Sequence, residues 1–364
     1  MTTYLSPFTF ENGIELRNRI VMAPMTTYSA NPDDTVSDEE LAYYEERSYG
    51  VGAVITACTY VIANGKGFPG QFATHSDLYI NSLRKVAQAI HKGGAKAILQ
   101  IYHGGRQSPR ELVPNGDVVS ASDTIAADGG KARALTMEEI QDIVKAFGET
   151  TRRAIEAGFD GVEIHGANTY LLQQFFSGLT NKRVDEYGGT LEKRMRFPLE
   201  VITEVNRIKH QYADDSFIVG YRFSPEEPEE EGITLDDTVQ LVDRLANEPL
   251  DYLHISLGDF RSLARRYEGE KEQRVKIIHR VIDGRVPLIG VGSICTKQDA
   301  LEAMEIGAEL VALGRELLIE PHWVEKITAG EEIITEMDMT RDNVIPSPLM
   351  RMMQAHPGWV AGVK

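Results

Sequence analysis

The sequence predicts an α/β chain folded as a (β/α)8 TIM barrel, with an N-terminal β-hairpin closing the barrel bottom. Three observations carry this expectation. Eight short apolar runs, rich in β-branched residues and without in/out alternation, read as parallel strands buried on both faces. Amphipathic helical stretches lie between them, in the βαβα order that winds a parallel sheet into a barrel. No literal repeat, low-complexity tract or linker divides the chain, so a single domain over residues 1–364 is expected.

The elements follow in order. "FTFENGIELRN" (8–18) alternates around Asn12-Gly13, a dipeptide suited to positive φ at both centres of a tight hairpin turn. Strands one to four are read from "RIVMAP" (19–24), "AVITAC" (53–58), "KAILQIY" (96–102) and "GVEIH" (161–165). Strands five to eight are read from "FIVGYR" (217–222), "YLHIS" (252–256), "PLIGVG" (287–292) and "LVALGR" (310–315). Among the helices, "TMEEIQDIVKAFGETTRRAIEAG" (136–158) carries a capping box in Thr136 and Glu139 and a C-cap glycine in Gly158. "TLDDTVQLVDRLAN" (234–247) and "TKQDALEAMEIG" (296–307) repeat that grammar. The acidic "SPEEPEEEG" (224–232) reads as a solvated loop after strand five.

Composition narrows the function classes. With 42% hydrophobic and 26% charged residues the chain can bury a sizeable core. Its 38 basic and 55 acidic residues sum to −17, which opposes a nonspecific grip on nucleic acid or an anionic membrane, so neither partner is expected. Two cysteines, Cys58 and Cys295, cannot build a disulfide framework, an iron–sulfur cluster or a four-cysteine zinc site, and both read as inert buried thiols in a reducing compartment. The opening "MTTYLSPFTFENG" has neither the basic region nor the apolar run of a signal peptide, and no stretch approaches ~20 apolar residues. A cytoplasmic location is expected.

In such a barrel the chemistry sits at the carboxyl ends of the strands. There the sequence has Thr26 past strand one, Gln100 in strand three, His165 closing strand four and Arg222 closing strand five. Strands seven and eight end in Gly290, Gly292 and Ser293, and in Gly314 and Arg315. Glycines let backbone amides approach an anion and arginine adds a bidentate donor, so a phosphorylated ligand is implied. Taken singly, strand-end glycines are turn residues and Arg315 a surface ion pair; two such loops together favour the phosphate. Arg222 could instead pair with Glu226, and Gln100 could be a satisfied polar group inside the barrel. "GKGFPG" (65–70) matches the dinucleotide-binding glycine pattern, but Pro69 precedes Gly70 and no short βαβ unit surrounds it, so it reads as a mobile loop over the barrel mouth.

The most specific constellation is His165, Asn168 and Tyr170, within six residues beyond strand four. Imidazole and carboxamide can both donate to one ligand oxygen while a phenol reaches a neighbouring atom. No second His or carboxylate falls at the spacing a metal requires, and no metal is expected.

At these positions the chain resembles the Old Yellow Enzyme family of FMN-dependent ene-reductases. The likeness covers nearly all of it, through "RNRIVMAPMTTYS" (17–29), "QIYHGGR" (100–106), "GFDGVEIHGANTYLLQQFFSGLTNKRVDEYGGTLEKRMRF" (158–197) and "VALGRELLIEPHW" (311–323). The resemblance implies that Ala23, Pro24, Met25 and Thr26 line the flavin, with the Thr26 hydroxyl near a ring carbonyl. It places Ala57 and Gln100 against the ring, Gln100 at the pyrimidine edge, and Arg222 beside N1 and the C2 carbonyl. Gly292, Gly314 and Arg315 would hold the phosphate, His165 and Asn168 the substrate's activating oxygen, and Tyr170 would donate the proton. One bacterial branch has Cys where Thr26 stands and a second His where Asn168 stands; this chain follows the other pattern at both, yet keeps Tyr28, which that branch uses at the substrate. The ending "VIPSPLMRMMQAHPGWVAGVK" (344–364) matches no family ending, and relatives with an added iron–sulfur module are excluded by cysteine count and length.

The expected function is therefore FMN-dependent transfer of hydride from NADH or NADPH to the C=C bond of an α,β-unsaturated carbonyl or nitro compound. The expected partners are the electron-poor alkene and a nicotinamide dinucleotide, and association into a homo-oligomer is left open. A phosphate-binding barrel isomerase or aldolase without flavin is the first alternative; it needs a Schiff-base lysine or a carboxylate base at a strand end, and none of the eight ends shows one clearly. The second is a noncatalytic flavin-binding protein, which loss of His165, Asn168 or Tyr170 would favour, and all three are present.

Overall fold

The computed structural model describes residues 3–269 and 271–363. Among these, eight parallel strands close into a barrel: β1 Ile20–Met22, β2 Ala53–Ile55, β3 Lys96–Tyr102, β4 Gly161–Gly166, β5 Ile218–Phe223, β6 Tyr252–Ile255, β7 Leu288–Val291 and β8 Leu310–Leu313. β4 pairs with both β3 and β5, and β8 with both β7 and β1, so no edge is left in the ring. Each apolar run contains one strand, and β3 has the bounds read from the sequence. In most of the others the closing residues leave the ladder, because the chain turns there to bring backbone and side chains over the barrel mouth.

Eight helices wrap the outside: α1 Asp38–Ser48, α2 Ile80–Lys92, α3 Met137–Ala157, α4 Leu191–Tyr212, α5 Leu235–Leu245, α6 Arg274–Ile282, α7 Lys297–Glu305 and α8 Trp323–Ala329. The three sequence-legible ones start where their caps place them. Thr136, Thr234 and Thr296 each accept the N–H three residues on, and Glu139, Asp237 and Asp299 accept the cap N–H in return. Gly158 ends α3 in the left-handed region, at φ 87°.

The hairpin pairs Phe8–Thr9 with Glu15–Leu16, and its Phe10, Ile14 and Leu16 pack with inward residues of the barrel such as Ile98, Ile218, Tyr252 and Ile289. It is thereby the plug at the amino ends of the strands. Its turn differs from the expectation: Gly13 alone takes positive φ, at 86°. Phe10 and Ile14 bond to each other across residues 11–13, and the Asn12 carboxamide accepts the Ile14 N–H. The third loop residue lets an Asn side chain replace a turn bond, so only one left-handed position is needed.

The acidic stretch also departs from its reading as a solvated loop. Glu226 pairs with Arg274 at 2.5 Å, and Glu227 is buried, accepting from Gln173 and Ser177. Residues 228–231 of that run are exposed, and even there Glu231 pairs with Lys182 at 2.9 Å. A charge run shows its composition but not its partners, and these came from α6 and from the segment after β4. A small sheet of Val119–Ser120, Thr124–Ile125 and Lys131–Ala134 between β3 and α3 was not legible, its strands being too short to show a period. The 65–70 loop lies over the mouth, where Phe68 sets its ring edge-on to Tyr28 at 5.7 Å and to Tyr170 at 6.2 Å. No helix of the described residues is long and apolar enough to cross a membrane.

Candidate active site

A cavity of about 510 Å³ opens at the carboxyl end of the barrel. Ala23, Pro24, Met25, Arg222, Gly292, Gly314 and Arg315 all line it, with Gly314 backing onto Ala23 and Met25. These seven sequence-selected residues, from β1, β5, β7 and β8, thus share one space.

At the β7–β8 end, Gly292 sits at φ 118°, and a Cβ there would lie 2.6 Å from the Leu257 carbonyl oxygen. Only glycine lets the backbone pass that close to the β6 loop. Arg315 makes no ion pair among the described residues; its guanidinium donates to the Trp359 carbonyl at 3.2 Å and to Ser293 Oγ at 3.4 Å. The surface-ion-pair reading of Arg315 is therefore not what the fold builds. Trp359, Gly358 and Ala361 line the same cavity, so the unplaced C-terminal segment is one of its walls. The signal for it was faint: a tryptophan between Gly358 and Gly362 in an otherwise unremarkable tail.

At the β5 end, Arg222 is 7% exposed and its Nε has no hydrogen-bond partner. Burial lowers its pKa from the ordinary arginine value while Glu163 works against that shift, so it remains a cation. Pairing with Glu226 does not occur, since that carboxylate is taken by Arg274. Gln100 is buried and donates through Nε2 to Glu163 at 2.7 Å. The Ala57 N–H donates to the Tyr44 hydroxyl at 2.9 Å, which holds the end of β2. Thr26 sets its hydroxyl against the Cys58 thiol, whose pKa burial pushes up to about 12. Burial likewise drives Cys295 to about 11, so both sulfurs stay protonated and unreactive.

Beyond β4, His165 Nδ1 accepts the Ala167 N–H at 3.2 Å, which leaves the ring proton on Nε2. Burial, reinforced by Arg222 and His254, holds this imidazole neutral. Tyr170 stands edge-on to His165 at 5.0 Å and to Tyr102 at 4.9 Å. Burial carries its phenol well above the usual range, so it keeps its proton. Asn168 occupies the exposed rim in a left-handed conformation with Thr169, at φ 56° and 63°. Its N–H donates to Ser224 Oγ and its Oδ1 accepts from Ser256 Oγ at 2.8 Å, so the carboxamide NH2 is the group left to donate. A neutral N–H donor and an un-ionised phenol in ring contact, beside a buried cation, suit an anionic oxygen with a proton acceptor next to it, while the Asn168 carboxamide stands on the exposed rim.

Three side chains under this floor were not singled out from the sequence: Glu163, His254 and Tyr252, bonded together inside the barrel. Their signal was alternation, since Glu163 and His254 each lie two residues from a position already chosen or at the strand end.

Known proteins resemble this chain in both sequence and fold. A family profile described as the NADH:flavin oxidoreductase / NADH oxidase family matches residues 4–333. The chain is 51% identical over 361 residues to the probable NADH-dependent flavin oxidoreductase YqiG of Bacillus subtilis (strain 168), covering 97% of this chain and 96% of that protein. It is 43% identical over 362 residues to the NADH:fumarate oxidoreductase of Klebsiella pneumoniae (strain 342), of whose length it spans 38%. The fold superimposes on morphinone reductase in complex with tetrahydroNAD with a TM-score of 0.76 at 28% identity, covering 91% of this chain and 92% of that one.

Proposed function

Since the chain belongs to the NADH:flavin oxidoreductase / NADH oxidase family, we propose that it reduces the C=C bond of alkenes conjugated to a carbonyl or nitro group. By its family it is an NAD(P)H-dependent flavin oxidoreductase with FMN as cofactor. The residues fit that group. The glycine-lined, arginine-bearing end suits a phosphate, and Arg222, with its orphaned buried Nε, suits the polar edge of a planar ring. In this reading Arg315, Gly292 and Gly314 hold the phosphate, Ala23 to Thr26 and Ala57 border the ring, and Gln100 and Arg222 meet its pyrimidine side. Bound there, FMN would supply the two-electron hydride chemistry that links NAD(P)H to the alkene β-carbon.

The protein's own contribution is electrostatic. His165 Nε2–H and the Asn168 carboxamide donate to the activating oxygen of the substrate, where negative charge develops as hydride arrives. Tyr170 holds its proton until the adjacent carbon becomes basic and then supplies it. Tyr28 and Phe68 cover the mouth and limit access of water.

The observation that carries this reading is the fixed state of His165 and Tyr170, one a neutral Nε2–H donor and the other an un-ionised phenol, in ring contact beside Arg222. Phenols test it. The donors that stabilise a developing oxyanion also stabilise a phenolate, so phenols should bind the yellow holoenzyme and give a long-wavelength absorption band. His165→Ala and Asn168→Ala should each weaken that band and the enone-reduction rate together. Wild-type phenol binding in both variants would remove the oxyanion assignment.

A further inference from the structure

Directly beneath the cavity, and not lining it, Glu163 is wholly buried in the barrel interior. A lone carboxylate there would be very costly. It is instead saturated: Gln100 Nε2 donates to Oε1 at 2.7 Å, and the Tyr252 hydroxyl and His254 Nδ1 donate to Oε2 at 3.1 and 2.8 Å. The strands assemble this set by register. Gln100 on β3 lies opposite Glu163 on β4, and His254 on β6 lies opposite Arg222 on β5. Gly220 makes it possible, because a Cβ there would sit 2.1 Å from the Tyr252 ring that crosses beneath β5 to reach Glu163. Tyr252 also belongs to the apolar layer that receives Phe10 of the N-terminal plug, so the carboxylate rests on packed core.

We infer that Glu163 is a positioning residue for the flavin: it fixes the Gln100 carboxamide, so that its carbonyl is what the ring meets, and is the counter-ion that sets how much positive charge Arg222 presents. Both arms follow from the donor inventory. With Nε2 committed downward, Gln100 Oε1 makes no hydrogen bond among the described residues, and an acceptor is what remains for a ring N–H. The groups facing Arg222 are Glu163, the neutral His165 and His254, and the un-ionised Cys58, Tyr170 and Tyr252. Glu163 is thus the one full negative charge among them. Burial alone would raise its pKa, but His254, Arg222 and Gln100 bring it below the ordinary glutamate value, so the charge is present throughout the neutral range.

The inference rests on the reading that Arg222 and Gln100 meet the isoalloxazine ring, and the test separates the two. The readout is the midpoint potential of bound FMN in wild-type, E163Q, E163D and Arg222→Gln holoenzymes, by dye equilibration. Removing the Glu163 charge leaves the Arg222 cation uncompensated, which favours the electron-rich reduced form. E163Q should raise the two-electron reduction equilibrium by about tenfold, or about 30 mV. E163D keeps the charge and should stay near the wild type, whereas Arg222→Gln should move the potential down. An unshifted E163Q beside a lowered Arg222→Gln would overturn the role of Glu163 and leave the ring placement standing; if neither moves, the ring placement fails with it. Should E163Q not fold, wild-type protein labelled with 13C-glutamate carries the test alone. Its reduced-minus-oxidised infrared difference spectrum should contain a label-sensitive ionised-carboxylate band, and no such band would overturn the inference.

Discussion

Tyr170 is the residue whose proposed role is easiest to isolate. Replacing it by Phe keeps the ring that packs on His165 and Tyr102 and removes only the hydroxyl. Reduction of the flavin by NADH needs no such proton and should proceed in stopped-flow at the wild-type rate, while reoxidation by an enone should slow by about two orders of magnitude. Equal slowing of both halves would make Tyr170 a shaping residue. Glu316, next to Arg315, sets a pH dependence. Burial, opposed by a Cys295 hydrogen bond and reinforced by Glu320 and Asp299, pushes its pKa up from 4.5 to about 8. The folded protein therefore holds a proton that the unfolded chain has lost above its own pKa, and stability falls as pH rises across that window until Glu316 ionises near 8. Past that point a carboxylate stands beside Arg315, the residue proposed to hold the phosphate. FMN affinity, read by flavin fluorescence, should drop about tenfold between roughly pH 7 and 9, and Glu316→Gln should flatten the curve; a parallel drop in that variant would exclude Glu316 as its cause. His165, Asn168, Tyr170, Arg222 and Arg315 were legible because each closes or follows a buried strand. Glu163 and Glu316 were not: alternation puts Glu163 on the face of His165 but gives none of its partners, and a carboxyl behind a strand-end arginine has no local pattern that marks it.

Among the elements, the strand-end loops carry the site and their glycines carry its shape. Gly292→Ala would place a Cβ 2.6 Å from the Leu257 oxygen at a φ that L residues rarely adopt. The strain is worth about 1–3 kcal/mol, so the apoprotein should melt a few degrees lower and retain less FMN, as thermal denaturation and flavin content would register. Unchanged flavin content would mean that the β7 loop does not touch the phosphate. Strands and capped helices were readable because period and capping are local properties: Thr136, Thr234 and Thr296 announce α3, α5 and α7. The hairpin turn and the acidic loop were misread for the opposite reason. Whether Asn12 supplies backbone torsion or a side-chain acceptor, and whether Glu226 meets water or Arg274, depends on residues far away or on a single added loop position. The C-terminal wall is a further case, with Trp359 reaching Arg315 across 44 positions of sequence.

At the scale of the molecule, the barrel separates its two tasks by end. The hairpin plug and apolar lower layers hold the amino side, and the polar groups rise from them toward the open face. A ligand bound only by the folded state adds to stability by mass action, so FMN at about 100 times its dissociation constant should contribute about 2.7 kcal/mol and raise the melting temperature. The resemblance in the sequence reached this scale well, because each of the four motifs that carry it spans the carboxyl end of a barrel strand, β1, β3, β4 and β8. The measurement that bears most directly on the central claim is an anaerobic double-mixing experiment. NADH should bleach the yellow holoenzyme, and a second mix with 2-cyclohexenone should restore the colour with one saturated ketone formed per flavin; bleached enzyme that recovers only with oxygen, and with no enone or nitroalkene, would contradict the account.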